Sequence, residues 1–159
     1  MLFYKTLLTT ILFLKLKKIN AMKNTTYLYA AYGSNMNHHQ MKERCPAARF
    51  LGAGYLKDHK LVFRRVADIE PCKNKEVPVG LWELTEACVV ALDKYEGFPR
   101  LYTCKEVNVR YKKQNVIAFA YIMNDTSTYE APSEYYLQSI ANGYEHCGLA
   151  VTKLVTQFI

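Results

Sequence analysis

Along residues 27–36, "YLYAAYGSNM", aromatic and small residues alternate before giving way to Gly-Ser-Asn. Such a run predicts a strand over 27–32, ended by a glycine turn. The following "NHHQMKERCP" predicts a short helix, with Asn37 as its cap and Pro46 as its stop. "ARFLGAGYLKDHKLVFRRV" predicts two β segments around Asp58 and His59, and the alternating "VPVGLWELT" at 77–85 predicts another strand. Between them, "ADIEPCKNKE" has a proline and no periodicity, which predicts a polar connector.

"TEACVVALDKYEG" places Ala87, Val90, Ala91 and Lys94 at helical spacing, behind a Thr85 cap and ahead of a Gly97 stop. This helix is expected to end near Tyr95. "YTCKEVNVRY" and "NVIAFAYIMN" alternate as strands and join through "KKQN" into a hairpin. Pro132 and Ser133 open a helical stretch running to Gly143 or Gly148, and the tail from Ala150 carries an apolar stripe placed to pack back on the body. Strand runs outnumber helical ones. The pattern predicts an α+β fold, a small mixed β-barrel of about six strands with two or three flanking helices, in which closure removes exposed sheet edges.

The chain has 159 residues, 50% hydrophobic, which suits one globular domain. Thirteen tyrosines against one tryptophan fit half-buried strands and the walls of a wet cavity. The net charge of +7 first suggests nucleic acid, but four lysines and no acid in residues 1–21 supply more than half of it. No block of basic residues interleaved with aromatics remains, and "KLVFRR" at 60–65 reads as a strand with a solvated end, so nucleic acid drops out as an expected partner. Five cysteines, an odd number, widely spaced and without a CxxC pair, read as free thiols in a reducing, cytoplasmic compartment rather than as a disulfide or zinc framework. His38 and His39 are adjacent, His59 and His146 have no evident partners, and all four read as structural or solvated; no metal is expected.

Residues 7–14 form an apolar run of eight, short of the roughly 20 needed to span a bilayer. Its lysines follow the run and no A-x-A site appears, unlike a signal peptide. Two accounts of residues 1–21 stand side by side: an upstream extension from a misplaced start, with the domain occupying 22–159 from Met22, or an amphipathic membrane-surface helix. A membrane partner is expected only in the second.

Two places carry candidate chemistry. In "YGSN" at 32–35, a glycine directly after a strand allows a sharp turn, and consecutive N–H groups near a helix start form a nest for a small carboxylate; the competing reading is an ordinary strand-to-helix connection. Glu96, in "LDKYEGFPRLY", sits at a helix C-terminus beside Tyr95 and an apolar Gly-Phe-Pro. The dipole and the surroundings both favour the neutral carboxyl, raising its pKa toward the value a general acid/base needs; the competing reading is a surface charge. Asp93, three residues earlier, reads as solvated or capping.

"YGSNM", "VPVGLWEL", "LDKYEGFPRLY" and "PSEYYLQSIANGYEHCGL", taken in that order, resemble the gamma-glutamylcyclotransferase family across residues 27–149. The resemblance implies the gamma-glutamylcyclotransferase-like (AIG2-like) fold and a pocket for a gamma-glutamyl group lined by Tyr32, Gly33, Ser34 and Asn35. It implies Glu96 as the catalytic acid/base, with Tyr102 and Tyr136 as further pocket residues. It also implies cyclisation of a gamma-glutamyl amino acid or peptide to 5-oxoproline, a reaction in which the substrate brings its own nucleophile and no cofactor is expected. Asn35 separates the chain from branches carrying Tyr-Gly-Thr-Leu or Tyr-Gly-Ser-Leu. Alternatives left open are a gamma-glutamyl-amine or another leaving group, and a non-catalytic module of the same fold that binds a small acid. The small-molecule substrate is the expected partner, to a monomer or a homodimer.

Overall fold

A computed structural model describes residues 25–158; the reading of residues 1–21 as an extension, with Met22 as the domain start, lies outside the described residues. Five strands, β1 (Thr26–Ala31), β2 (Arg49–Arg64), β3 (Val66–Thr85), β4 (Tyr102–Tyr111) and β5 (Gln114–Met123), close into a barrel in the order β1-β3-β2-β4-β5. All neighbours are antiparallel except β5 and β1, which meet in parallel at Tyr29 and Phe119 and complete the closure. Among the described residues the helices are α1 (His38–Arg44), α2 (Glu86–Glu96), α3 (Glu134–His146) and the single turn α4 (Thr152–Val155). None of them is long and apolar enough to cross a membrane.

Five strands stand where about six are expected, because the two segments around Asp58 are one strand. Pairing of β2 with β3 shifts register between Lys57 and His59, where Asp58 adopts a positive φ of 56°. The expected polar connector at 67–76 is also largely strand. Its polar residues find partners that the local sequence does not reveal: Arg64 Nε donates to Asp68 Oδ2 at 3.1 Å, and Glu70 takes Arg64 Nη2 at 3.0 Å and Lys60 Nζ at 2.8 Å. Neutralised this way, Asp68 is fully buried beside Ala67 and Ile69. Only residues 72–75 leave the ladder, opposite Asp58, whose Oδ1 accepts from the Asn74 N–H at 3.0 Å.

Helix ends follow local chemistry closely. The Asn37 side chain accepts from the N–H groups of His39 and Gln40, Thr85 Oγ1 from that of Cys88, and Ser133 Oγ from that of Tyr136. Gly97, left-handed at φ 68°, stops α2 one residue beyond the expected end, so Glu96 is its last residue. Helix α3 passes straight through Gly143, which serves close approach instead of termination: a Cβ there would lie 2.7 Å from Met36 Cβ. Leu56, Val77, Val79, Leu84, Leu92 and Ile140 fill the core. The tail packs back on the body through buried Leu154 and through Phe158, stacked on Phe63 at 5.1 Å.

The tight β2–β3 turn at Arg65 is tied to a later segment. The Arg65 N–H donates to Glu130 C=O, the Glu130 N–H to Phe63 C=O, and Arg64 Nη1 to the carbonyls of Thr126 and Thr128 at 2.9 Å each.

Candidate active site

Strand β1 ends against the barrel wall and hands the chain to Gly33, after which residues Ser34–Met36 form a 3-10 turn leading into α1. Gly33 leaves room at the wall: a Cβ would sit 3.1 Å from the Tyr136 hydroxyl and 3.2 Å from Ala67 Cβ, so both neighbours would have to give way slightly. Gly97 ends α2 so that Glu96 reaches the same spot from another side. Tyr102 comes from the first position of β4 and Tyr136 from the first turn of α3. Tyr32, Gly33, Ser34, Asn35, Glu96, Tyr102 and Tyr136 all line one cavity of about 80 Å³, together with Tyr29, Val66, Ala67, Tyr95 and Tyr121.

Glu96 is half-buried and is the one carboxylate among the described lining residues. Burial pushes its pKa up to about 7, against a smaller downward pull from the Arg44 guanidinium and from the Asn35 amide. Asn35 Nδ2 donates to Glu96 Oε1 at 3.1 Å and to the Tyr29 hydroxyl at 2.9 Å. Both amide hydrogens of the buried Asn35 are therefore spent on protein groups, which turns this side chain toward Glu96.

The phenols form the rest of the wall. The Tyr32 hydroxyl donates to the Tyr121 carbonyl, and the Tyr121 hydroxyl donates to Asp93 Oδ1 at 2.6 Å, so Asp93 is a half-buried acceptor and not a solvated charge. The Tyr136 hydroxyl accepts from the Ala67 N–H at 3.0 Å and is pushed up to about 12, mainly by burial. Burial, with the Glu96 charge adding to it, also raises Tyr102. Around neutral pH these phenols are neutral hydrogen-bonding groups, and Glu96 sits at the point where it can both take and return a proton.

Sequence reasoning does not find Tyr29, Tyr121 or Arg44. The tyrosine-rich composition is the one hint of the first two. Arg44, the last residue of α1, reaches Ser34 Oγ at 3.2 Å and Asn35 Oδ1 at 2.5 Å, contacts that no short stretch of sequence displays. Away from the cavity, His38 packs its ring 4.4 Å from Phe50 and 5.0 Å from Trp82, and its backbone N–H donates to His146 Nδ1 at 3.2 Å, which gives His146 the partner its sequence context lacks.

Comparison with known proteins agrees with the geometry. A gamma-glutamylcyclotransferase of Homo sapiens is 28% identical over 149 residues, covering 84% of this chain and 78% of that protein. The Mus musculus gamma-glutamylcyclotransferase is 29% identical over 140 residues, 78% of this chain and 73% of that one. A solved structure of a gamma-glutamyl cyclotransferase superposes with a TM-score of 0.74 at 26% identity, over 84% of this chain and 87% of that chain. The family model for gamma-glutamyl cyclotransferase, AIG2-like proteins matches residues 29–140, from β1 into α3 and across every wall of the cavity, and the chain belongs to that family.

Proposed function

We propose that the protein is a gamma-glutamylcyclotransferase that converts gamma-glutamyl amino acids or peptides to 5-oxoproline and a free amine, with Glu96 as the general acid/base. The observation that carries this reading is the Glu96 carboxyl, held at 3.1 Å by Asn35 on the wall of a small tyrosine-lined cavity and poised to titrate near 7.

The substrate's α-amine attacks its own γ-carbonyl carbon, and the new N–C bond closes a five-membered ring. The proton lost by the amine goes to the Glu96 carboxylate. As the bond to the leaving nitrogen breaks, Glu96 returns that proton to it, so the enzyme ends as it began. In this reading the 33–35 turn holds the substrate folded so that amine and carbonyl meet, and a backbone N–H of the turn receives the developing oxyanion. The polar, tyrosine-rich lining around Glu96 supports binding of the glutamyl part there, with the leaving amine toward the mouth.

The test is 5-oxoproline release from a panel of gamma-glutamyl dipeptides, a gamma-glutamyl-lysine isopeptide and glutathione, by the protein and by Glu96→Gln. Turnover by the first, reduced about 10²- to 10⁴-fold in the second, is the expected result, with kcat/KM falling as pH drops below about 7. A folded protein that binds 5-oxoproline or glutamate yet turns over none of the panel would overturn the reading in favour of a binding module.

A further inference from the structure

We infer that Arg44 is a positioning residue for this site: its guanidinium fixes which way the Asn35 amide faces, and through that amide it holds the Glu96 carboxylate. An amide can sit in either of two orientations related by a half-turn that exchanges its oxygen and nitrogen. In the observed one, Oδ1 accepts from Arg44 Nη1 at 2.5 Å, while Nδ2 donates to Glu96 and Tyr29. The half-turn would set Nδ2 against Nη1, donor against donor, and Oδ1 against the carboxylate, acceptor against acceptor. A guanidinium has no acceptor and does not lose its proton, so it permits one orientation at every working pH.

Arg44 is itself held in place. It is the last residue of α1, where a cation suits the helix end, and its Nη1 also donates to Ser34 Oγ at 3.2 Å. Its Cζ lies over the ring of Tyr95, the residue before Glu96, 3.9 Å from the centroid. Arg44 thus clamps the 34–35 turn to the end of α2 without lining the cavity. The groups electrostatically linked to Glu96 are Tyr29 and Tyr32 from the β1 segment, Arg44 from α1, Tyr102 and Cys104 from β4, and Tyr136 from α3. Of these, Arg44 alone carries a charge near neutral pH.

The experiment is a pH titration of the Glu96 carboxyl by NMR in protein labelled with 13C at glutamate side chains, for the wild type, Arg44→Met, Arg44→Gln and Arg44→Lys, assigned with Glu96→Gln. The kinetic arm, which rests on the cyclotransferase reading, measures kcat and KM against pH on the best substrate of the panel. In Arg44→Met and Arg44→Gln the Glu96 midpoint rises by about one pH unit, and the acid limb of kcat/KM moves with it. Arg44→Lys restores the midpoint but not kcat, since an ammonium keeps the charge but lacks the planar guanidinium whose carbon lies over the Tyr95 ring while Nη1 reaches Ser34 and Asn35. Folded Met and Gln variants with an unmoved Glu96 midpoint, even if less stable, would overturn the inference, as would an Arg44→Lys variant with wild-type kcat. The titration needs no turnover, so an inactive wild type would sink the cyclotransferase reading while leaving the role of Arg44 to be decided by the carboxyl itself.

Discussion

Glu96→Gln should make the fold more stable in alkali and leave it unchanged in acid. A carboxyl whose ordinary value is 4.5 and whose folded value is about 7 binds its proton more tightly in the native state than in the unfolded chain. The stability this contributes is fully present below pH 4.5 and is lost as pH rises to 7 and above. At 1.36 kcal/mol per pH unit, the interval sets a ceiling near 3 kcal/mol; because Glu96 is only partly buried, solvent screening brings the expected effect to about 1–2 kcal/mol. Glutamine keeps an acceptor for Asn35 Nδ2 and carries no charge at any pH. Thermal melts of the two proteins followed by circular dichroism should coincide at pH 4 and diverge by about 3–8 °C at pH 8.5, with the variant higher. Other titrating groups are shared by both proteins and cancel in the difference. A gap independent of pH, or a variant that melts lower at pH 8.5, would refute the assignment of a raised, burial-driven pKa to Glu96.

Gly33→Ala should push the Tyr136 hydroxyl and Ala67 apart at the cavity wall and weaken 5-oxoproline binding, measured by calorimetry, by roughly tenfold to a hundredfold. Gly143→Ala drives a methyl against Met36 Cβ at 2.7 Å and the Asn37 backbone nitrogen at 2.8 Å, and urea unfolding should show a loss of about 1–3 kcal/mol. Arg64→Met strands the fully buried Asp68 and should cost about 3–5 kcal/mol in the same assay, with part of the loss recovered when Asp68→Asn is added.

What the sequence makes legible here is what depends on neighbours in the chain. The caps Asn37, Thr85 and Ser133 and the stop at Gly97 act over three or four residues, so a linear pattern finds them. The glycine turn and Glu96 stand out for the same reason. Residues 67–71 escape because their polarity is cancelled by Arg64 and Lys60 across the hairpin, partners that exist only once β2 and β3 have paired. Gly143 misleads because a glycine near a helix end resembles a stop, and only the approach of the 34–36 turn shows that it is there for space. Arg44 is hidden for a related reason: its acceptors lie nine and ten residues away, across a 3-10 turn and a helix. The cavity as a whole draws on both ends of the barrel chain, from Tyr29 to Tyr136, and no window of sequence contains it.

The tie between the β2–β3 turn and residues 126–130 gives the cavity two kinds of wall. Asn35 is bonded to Glu96 and Tyr32 to the Tyr121 carbonyl of the barrel, whereas Val66 and Ala67 follow a turn that is held by backbone hydrogen bonds to Glu130 and by Arg64 reaching Thr126 and Thr128, with the Ala67 N–H also donating to the Tyr136 hydroxyl. Side chains of the same segment add to the tie: the Tyr129 hydroxyl donates to the Glu70 carboxylate, the Arg64 guanidinium carbon lies 4.6 Å from the Tyr129 ring centroid, and Glu130 pairs with Arg65 at 3.3 Å. A part of the cavity wall far from Glu96 in sequence is thus positioned from residues 126–130, so a change there reaches Val66 and Ala67 through the turn and not through Glu96 or Asn35.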